Sequence, residues 1–417
     1  MAGHIQDRWY KTEPGPDGKA RRVKTDRYGT GLRYRARYIG PDGTEQSKSF
    51  PDGKKRLAEK WLTKIEADMD AGHFLDPKAG QVTFRQYAEK WLSGLTTDLG
   101  SQEVVARRIR LHAVPYLGIR PMGSFKPEHV RTWLSALQTA VPNATYRRAI
   151  YDSVSSLFNA AVDDGVMRVN PCHAQSVKPP EPDPRLIQPW MPARVFAVRD
   201  GLPDRYKCTV DAGGGGGLRQ GEIFGLDEEN IDFAAGWLRV RQQVKRIGGT
   251  LVFAPPKRGK LRSAPLSPVV GENLHLHMSQ FPPVEVTLPW KTPDGPLVTR
   301  KLVFTSGVGK AIWRSYFDDY VWKPALAHAG VIPPKESGGR YAAAPDDGMH
   351  ALRHFYASVL LDGGESIKAL SVYLGHSDPG FTLRIYTHLL PSSEERTRAA
   401  VSAVFRRGGP EALTQAA

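Results

Sequence analysis

The stretch LGHSDPGFTLRIYTH (374–388) is the most informative part of this sequence. Its residue pattern predicts a helix that ends at LGH, with His376 at its end, and a further helix over 379–386. In that position His376 can donate a hydrogen bond to a phosphate oxygen. Tyr386 carries a phenol, which is a poor nucleophile at neutral pH unless a base or positive charge lies nearby. The stretch therefore predicts a nucleophile that depends on groups from elsewhere in the chain.

Two upstream segments supply the positive charge. In HALRH, His350 and Arg353 lie at positions i and i+3, which share one face of a helix. Arg219 stands in GLRQGE (217–222). Two guanidinium groups can hold both non-bridging oxygens of one phosphodiester and stabilise the extra charge of its transition state. For either arginine alone a surface salt bridge is the simpler interpretation, since Glu222 stands one turn from Arg219.

The same segments raise a metal and a nucleotide alternative, and the sequence disfavours both. His350 and His354 have the i, i+4 spacing of zinc ligands, but the zinc-protease motif needs Glu where Ala351 stands. The run AGGGGGLRQGE (212–222) lacks the Gly-Lys-Ser/Thr ending of a nucleotide-binding loop. We therefore predict neither a metal nor another cofactor, and the sequence offers no reason for five consecutive glycines at 213–217.

A basic turn, PPKRGKLRSAP (255–265), lies between two predicted strands. Attack on phosphorus requires a proton for the departing deoxyribose oxygen, and a mobile ammonium group can supply that proton. We predict Lys257 for this role, with Lys260 and Arg258 as alternatives.

The charge balance points to a polyanionic partner. The 417 residues carry a formal net charge of +15, and Lys and Arg outnumber Asp and Glu in each of the regions 1–80, 81–184 and 185–417. This distribution suits a protein that lies along nucleic acid, although a merely basic solvated surface is the alternative. Two cysteines, a polar N-terminus and no apolar run of about 20 residues predict a protein of a reducing, intracellular compartment, without membrane contact.

The length and patterning predict a multidomain protein, mainly α with small β regions. Residues 1–75 alternate in period 2 and then turn helical, which predicts a small three-stranded sheet plus helix. Residues 83–176 predict a four-helix domain, and 185–405 predict a mixed α+β domain with a last helix over 391–405, followed by a tail over 406–417. The Pro-rich segment 177–184 is a stiff linker that would let two modules close around a duplex.

Arginines in the first two regions are candidate DNA contacts. A strand ribbon with alternating Arg and Tyr suits insertion into a DNA groove, and helix arginines suit phosphates. The predicted contacts are Arg33, Arg35, Arg37, Arg107, Arg108, Arg147 and Arg148.

Together these residues resemble the tyrosine recombinase (phage integrase) family. GLRQGE resembles its first arginine box, HALRH its His-x-x-Arg box, and 374–388 its closing box with the nucleophile. The helical region resembles the SAM-like core-binding domain of that family, and the basic N-terminal region resembles its arm-type DNA-binding domain. The resemblance implies a catalytic set of Arg219, Lys257, His350, Arg353, His376 and Tyr386, with Glu222 supporting the first arginine.

The resemblance also implies the reaction and the partners. Tyr386 would form a 3′-phosphotyrosyl link with double-stranded DNA at attachment sites and release a 5′-hydroxyl, without metal or ATP. The protein would act as a homotetramer in DNA integration, with an excisionase or a host DNA-bending protein as possible partners. Residues 391–405 would pack on a neighbouring subunit.

Three alternatives stay open at this point. A cellular XerC/XerD-like recombinase would share the chemistry, but such proteins usually begin at the helical domain. A type IB topoisomerase would relax DNA without exchanging partners. A DNA-binding regulator with a decayed site would lack part of the six-residue set, which is complete here.

Overall fold

The computed structural model describes residues 3–14, 19–40, 43–70, 79–182, 188–376 and 378–386, and four single positions, 398, 401, 402 and 405. The protein has a multidomain, mixed α/β architecture, and the chain divides into two compact units, Met1–Asp183 and Pro184–Ala417. The predicted separation of 1–75 from 83–176 falls inside the first unit and stays a prediction. The predicted last helix and tail lie outside the described residues, apart from those four positions.

The first unit combines short strands with a series of helices. Its strands are β1 (His4–Asp7), β2 (Tyr10–Pro14), β3 (Ala20–Lys24), β4 (Tyr34–Ile39) and β5 (Glu45–Phe50), and its helices are α1 (Lys55–Asp70), α2 (Phe84–Ser93), α3 (Leu99–His112), α4 (Val114–Leu117), α5 (Pro127–Ala140) and α6 (Ala144–Asp163).

The N-terminal sheet is antiparallel in the order β1-β4-β5, as the period-2 pattern predicts. On one face of β4 the side chains of Tyr34, Ala36 and Tyr38 are buried. They pack with the apolar face of α1, which removes their surface from water and stabilises the sheet. Arg35 and Arg37 alternate with them on the other face. The strands β2 and β3, which come between β1 and β4 in the chain, form a separate hairpin. The sequence pattern did not predict this hairpin.

The helical part of the first unit packs around an aromatic centre. Thr83 caps α2 in a reciprocal pair with Gln86, in which each satisfies a backbone N–H of the other. Rings of Phe84, Phe125 and Phe158 meet in tilted and edge-on pairs, with centroids 4.9 to 5.9 Å apart. Such pairs add about 0.5–1.5 kcal/mol each beyond their area burial. The helices α2 to α6 are therefore held by a shared core.

The second unit alternates helices with two- and three-stranded sheets. Its elements are α7 (Pro192–Asp200), α8 (Asp204–Gly214), α9 (Gln220–Phe224), β6 (Ile231–Asp232), β7 (Trp237–Val240), β8 (Gln243–Ile247), β9 (Thr250–Ala254), β10 (Arg262–Pro265), α10 (Pro268–Gln280), β11 (Val284–Pro289), β12 (Leu297–Leu302), α11 (Arg314–Phe317), α12 (Lys323–His328), α13 (His350–Asp362), α14 (Ile367–Leu374) and α15 (Pro379–Tyr386).

The second unit has three small antiparallel sheets, β10-β7-β6, β8-β9 and β11-β12, among the residues described. The helix predicted at 379–386 has the predicted bounds. The hairpin β11-β12 was not predicted, although VEVTL in β11 alternates apolar and polar residues; β12 (LVTRKL) has no such alternation. No helix in the described ranges is long and apolar enough to cross a bilayer.

Candidate active site

Arg353 on α13 is the centre of the candidate site and is 1% exposed. Its Nη1 donates to the carbonyl oxygen of Gly217 over 2.6 Å, and its Nη2 donates to the carbonyl oxygen of Leu374. The same Nη2 lies 3.5 Å from Nε2 of His376. One guanidinium group therefore links the segment before α9 to the turn after α14. Burial, followed by the charge of Arg219, lowers the pKa of Arg353, which stays cationic near neutral pH.

The five-glycine run lets its backbone come close to α13 and the neighbouring elements. A Cβ on Gly217 would lie 2.6 Å from the ring of Tyr356, and one on Gly216 would lie 2.6 Å from Leu238 Cδ1. Gly217 also has a φ of +65°, which disfavours any other residue. Glycine is therefore required next to the carbonyl group that binds Arg353. This explains the run of glycines, for which the sequence alone offered no reason.

Glu222 joins two arginines through a fully buried carboxylate. It accepts hydrogen bonds from the backbone N–H of Arg219 at 2.8 Å and from Nη1 of Arg219 at 2.9 Å. Both terminal nitrogens of Arg262 bind the same carboxylate, at 2.8 and 2.7 Å. Burial alone would raise the pKa of Glu222, but the hydrogen bonds and charges of Arg262 and Arg219 lower it to about 2. The ion pair of Arg219 is therefore part of a buried network and not a surface contact.

Arg262 is a residue of this network that the sequence analysis missed. Its Nε donates to the carbonyl oxygen of Tyr373 at 2.8 Å, so it also holds the end of α14. Arg262 begins RSAPLS, which was predicted as a short strand. A charged side chain in a buried strand needs an oppositely charged partner, so the sequence could have indicated that Arg262 takes part in an ion pair.

Arg219 and Arg353 approach the same backbone carbonyl. Nη2 of Arg219 lies 3.4 Å from the oxygen of Leu374, which also accepts from Arg353. Arg219 and Arg262 bind the carboxylate of Glu222, and Arg353 lies near enough for its charge to interact with theirs, so three positive charges share one negative charge. An excess of fixed donors and positive charge at one place is a site for an anion such as a phosphate.

His376 is oriented by a hydroxyl that the sequence analysis did not single out. Its Nδ1 lies 2.7 Å from Oγ1 of Thr382, and that hydroxyl lies 2.7 Å from the Ser371 hydroxyl. Burial, followed by the charge of Arg353, lowers the pKa of His376 to about 4. The ring is therefore neutral near pH 7 before an anion binds.

His350 and Lys257 stand at the solvent side of the site. His350 begins α13 and is exposed, as is Lys257 in the turn between β9 and β10. Partial desolvation by the surrounding protein lowers the pKa of His350, and nearby positive charges, including that of Lys257, lower it further. The charge of Lys257 thus acts on the same site, whereas Lys260 lies exposed at the end of its turn.

Tyr386, at the end of α15, is 1% exposed and points toward α13. Its hydroxyl lies 2.7 Å from Nδ1 of His354, and the two ring centroids are 5.7 Å apart. Burial raises the pKa of Tyr386 to about 12, although the charges of Arg353 and Arg219 act in the opposite direction. The positive surroundings were expected to favour the phenolate, but burial has the larger effect on the pKa of Tyr386. His354, considered there only as a zinc ligand, is the group that contacts the phenol.

The predicted DNA contacts lie in the first unit, and five of the seven make local hydrogen bonds or ion pairs. Arg33 pairs with Asp7 and Asp52, Arg37 with Glu45, and Arg148 with Asp152. Nε of Arg35 donates to Ser47, Nη1 of Arg147 donates to two backbone carbonyls, Arg107 is exposed, and Arg108 is partly exposed. None of these side chains belongs to the candidate active site. Among the described residues, no group of three or more His, Cys, Asp or Glu has the arrangement of a metal site.

Comparison with known proteins identifies the family of the segment that carries this site. Residues 196–393 match the phage integrase family, and that segment contains all six predicted catalytic residues and Glu222. The segment 196–393 is a tyrosine recombinase domain of the phage integrase family. As a member of that family it is an enzyme that recombines DNA at specific sites.

Relatives of this tyrosine recombinase cover most of its length. The integrase of Mycobacterium phage D29 is 26% identical over 371 residues, which cover 87% of this chain and 89% of that protein. The Tn1549 transposon integrase bound to a circular-intermediate DNA has a TM-score of 0.61 at 19% identity, over 78% of this chain and 99% of that one. The lambda integrase tetramer bound to a Holliday junction has a TM-score of 0.54 at 15% identity, over 84% and 91%. At these identities the two structures establish the fold.

Proposed function

We propose that this recombinase is the integrase of a phage or integrative element, and that Tyr386 cuts and rejoins DNA through a 3′-phosphotyrosyl intermediate. The convergence of Arg219 and Arg353 on the carbonyl oxygen of Leu374 carries the proposal. Two cationic forks that meet at one point, with excess positive charge and a buried phenol on the adjacent helix, fit a scissile phosphate.

Each residue then has a distinct role. Arg219 and Arg353 bind the non-bridging oxygens and stabilise the charge that develops on them. Glu222 holds Arg219 in place through the bonds described above. His350 and His376 are neutral before DNA binds, and each can hydrogen bond to a phosphate oxygen and gain charge when that anion arrives.

Lys257 is the proposed proton donor to the departing 5′-oxygen. Its exposed position on a turn leaves the ammonium group mobile, and its charge acts at His350. Lys257→Ala should cleave slowly on ordinary DNA and recover on a substrate with a 5′-thiol leaving group, which needs no proton. If that substrate fails to restore cleavage, the acid is another group, and Lys260→Ala is the first variant to compare.

The chemistry conserves the energy of the phosphodiester in the protein–DNA bond, so the step needs neither metal nor ATP. A second strand's 5′-hydroxyl can attack the phosphotyrosyl link and reverse the reaction onto a new partner. The direct test uses Tyr386→Phe on a nicked suicide substrate, from which the wild-type adduct cannot religate. We expect DNA binding at wild-type strength and no covalent adduct. An adduct at wild-type levels would identify another nucleophile.

The domain assignments are part of the proposal. We assign residues 1–75 to arm-type DNA binding, 83–176 to a SAM-like core-binding domain and 185–405 to catalysis. The antiparallel sheet with Arg35 and Arg37 on its helix-free face supports the first assignment. A protein that lacks 1–75 should still cleave core sites and should lose integration that depends on accessory arm sites.

The active assembly is proposed to be a homotetramer on double-stranded attachment sites in the bacterial cytoplasm. The lambda integrase, which shares the fold, was solved as a tetramer on a Holliday junction. Residues 391–405 are the proposed contact with a neighbouring subunit, and an excisionase or DNA-bending protein is the proposed regulator of direction. Light scattering of the protein on a synthetic four-way junction tests the stoichiometry.

A further inference from the structure

The phenol of Tyr386 has a hydrogen-bond partner that the catalytic set proposed above leaves without a role. His354 presents its Nδ1 to the phenolic oxygen at 2.7 Å, a distance typical of a well-formed hydrogen bond. A nucleophilic phenol must lose its proton when it attacks, so the group in contact with that proton is important.

The place of His354 on α13 explains why it reaches the nucleophile and not the phosphate. Residues at i and i+4 share a helix face, and the rings of His350 and His354 lie 4.7 Å apart, edge to face. Arg353, one residue earlier, turns about 100° away around the helix and meets Gly217 and Leu374 instead. Arg353, the proposed phosphate-binding residue, and His354, whose imidazole contacts the phenol, therefore face different sides of the same turn of α13.

We infer that His354 is the general base of strand cleavage, accepting the phenolic proton of Tyr386 through Nδ1 as the phenolic oxygen attacks phosphorus. The inference rests on the proposed role of Tyr386 as the nucleophile. It adds a seventh residue to the set and assigns proton acceptance and proton donation to different side chains.

Each bond that forms during strand cleavage is matched by one that breaks. The O–H bond of Tyr386 breaks, its proton passes to Nδ1 of His354, and its electron pair forms the bond from oxygen to phosphorus. The bond from phosphorus to the 5′-oxygen breaks, and that oxygen takes a proton from Lys257. When the strand is rejoined, the imidazolium returns its proton to the phenolic oxygen and the 5′-hydroxyl returns one to Lys257.

The electrostatics of the site fit a base that acts only when DNA is present. Burial, followed by the charge of Arg353, lowers the pKa of His354 to about 4, so its Nδ1 can hold a free lone pair near pH 7. Burial keeps the phenol protonated at the same pH. An arriving phosphate adds negative charge beside the imidazole, which favours its protonated form. Bond formation at phosphorus makes the phenol more acidic during attack. The greater basicity of the imidazole and the greater acidity of the phenol both favour proton transfer from Tyr386 to His354.

The test compares His354→Asn with the wild-type full-length protein on the nicked suicide substrate. Asparagine places a hydrogen-bonding group near the Nδ1 position but cannot take up a proton at neutral pH. We expect adduct formation to slow by about 10²-fold or more, with DNA binding unchanged. His275→Asn on α10, where the ring packs against Phe233, is the matched control and should cleave at the wild-type rate.

Two rescue measurements separate a base from a merely structural residue. A fluorinated tyrosine at position 386 has a more acidic phenol, and it should restore most of the rate of His354→Asn. Added imidazole should accelerate His354→Ala, since it can occupy the vacated space and accept the proton.

Three outcomes would overturn the inference or its premise, and they are distinguishable. Cleavage by His354→Asn within about 3-fold of wild type removes the base role and leaves Tyr386 as the nucleophile. A slow variant that neither rescue improves shows that His354 acts through structure alone. An adduct formed by Tyr386→Phe in the same assay overturns the proposed function itself.

Discussion

The arginines of the candidate active site and those of the N-terminal sheet share the guanidinium group but differ in their burial and in their partners. Arg353 is nearly fully buried and binds two backbone carbonyls, and Arg262 is fixed by a buried carboxylate. Arg37 lies on a sheet face and pairs with a half-exposed Glu45. A buried guanidinium held by fixed acceptors is preorganised for one anion, whereas an exposed one contributes mainly a screened charge. We therefore propose that burial and fixed partners, more than the residue type, distinguish the arginines suited to catalysis from those suited to general DNA attraction.

The largest effect expected from this comparison is on cleavage. Arg353→Lys keeps the charge but cannot hold the carbonyls of Gly217 and Leu374 and a phosphate together. Adduct formation on the suicide substrate should fall by about 10²- to 10³-fold. Arg239→Lys on β7, where the side chain pairs with Asp232, is the control and should stay near the wild-type rate. A lysine variant within 10-fold of wild type would show that charge alone suffices at position 353.

Glu222→Gln tests the buried ion-pair network against a surface pair. The folded pKa of about 2 lies below the unfolded value of 4.5, so the carboxylate stabilises the fold above pH 4.5. That stabilisation, about 3 kcal/mol, is lost as the pH falls from 4.5 toward 2. Urea unfolding at pH 7 should show the deficit in the variant, and the difference from wild type should shrink below pH 4.5.

The surface counterpart of that variant is Glu45→Gln, which removes the partner of Arg37. Exposed ion pairs contribute less than about 1 kcal/mol, so its unfolding free energy should hardly change. Equal losses for the two variants would mean that burial of Glu222 does not strengthen its interactions.

Gly217→Ala tests the backbone that positions Arg353. The added methyl group meets the Tyr356 ring, and the residue must keep a positive φ. Gly330→Ala is the matched control, because Gly330 has a φ of +67° and no atom within 4 Å of an added Cβ. The control should lose about 1 kcal/mol from strain, and Gly217→Ala should lose more and also cleave more slowly. Identical behaviour would remove the packing argument for the glycine run.

The smallest effects belong to the sheet arginines. Arg35→Gln and Arg37→Gln should each weaken DNA binding a few-fold and reduce the slope of log K against log salt by about 1. Cleavage of a substrate that carries core sites alone should stay at the wild-type rate. Fluorescence anisotropy at several salt concentrations measures the slope, and an unchanged slope would show that neither side chain contacts a phosphate.

Residue identity and spacing anticipated much of the site. Arg219 and Arg353 were predicted together because only a pair of guanidinium groups makes chemical sense around one phosphate, and both meet at the Leu374 carbonyl. His354 and Arg262 were missed because their importance comes from partners that lie 32 and 40 positions away in the chain. No local pattern encodes such contacts.

The sequence by itself determined the family resemblance and the basic character and predicted the candidate reactive groups, because these depend on residue types and their spacing along helices. Only the tertiary structure decided which imidazole contacts Tyr386, which arginine supports Glu222, and why the run 213–217 is glycine. Those answers depend on distances between segments far apart in the chain, and burial then sets the charge states of the groups that meet there.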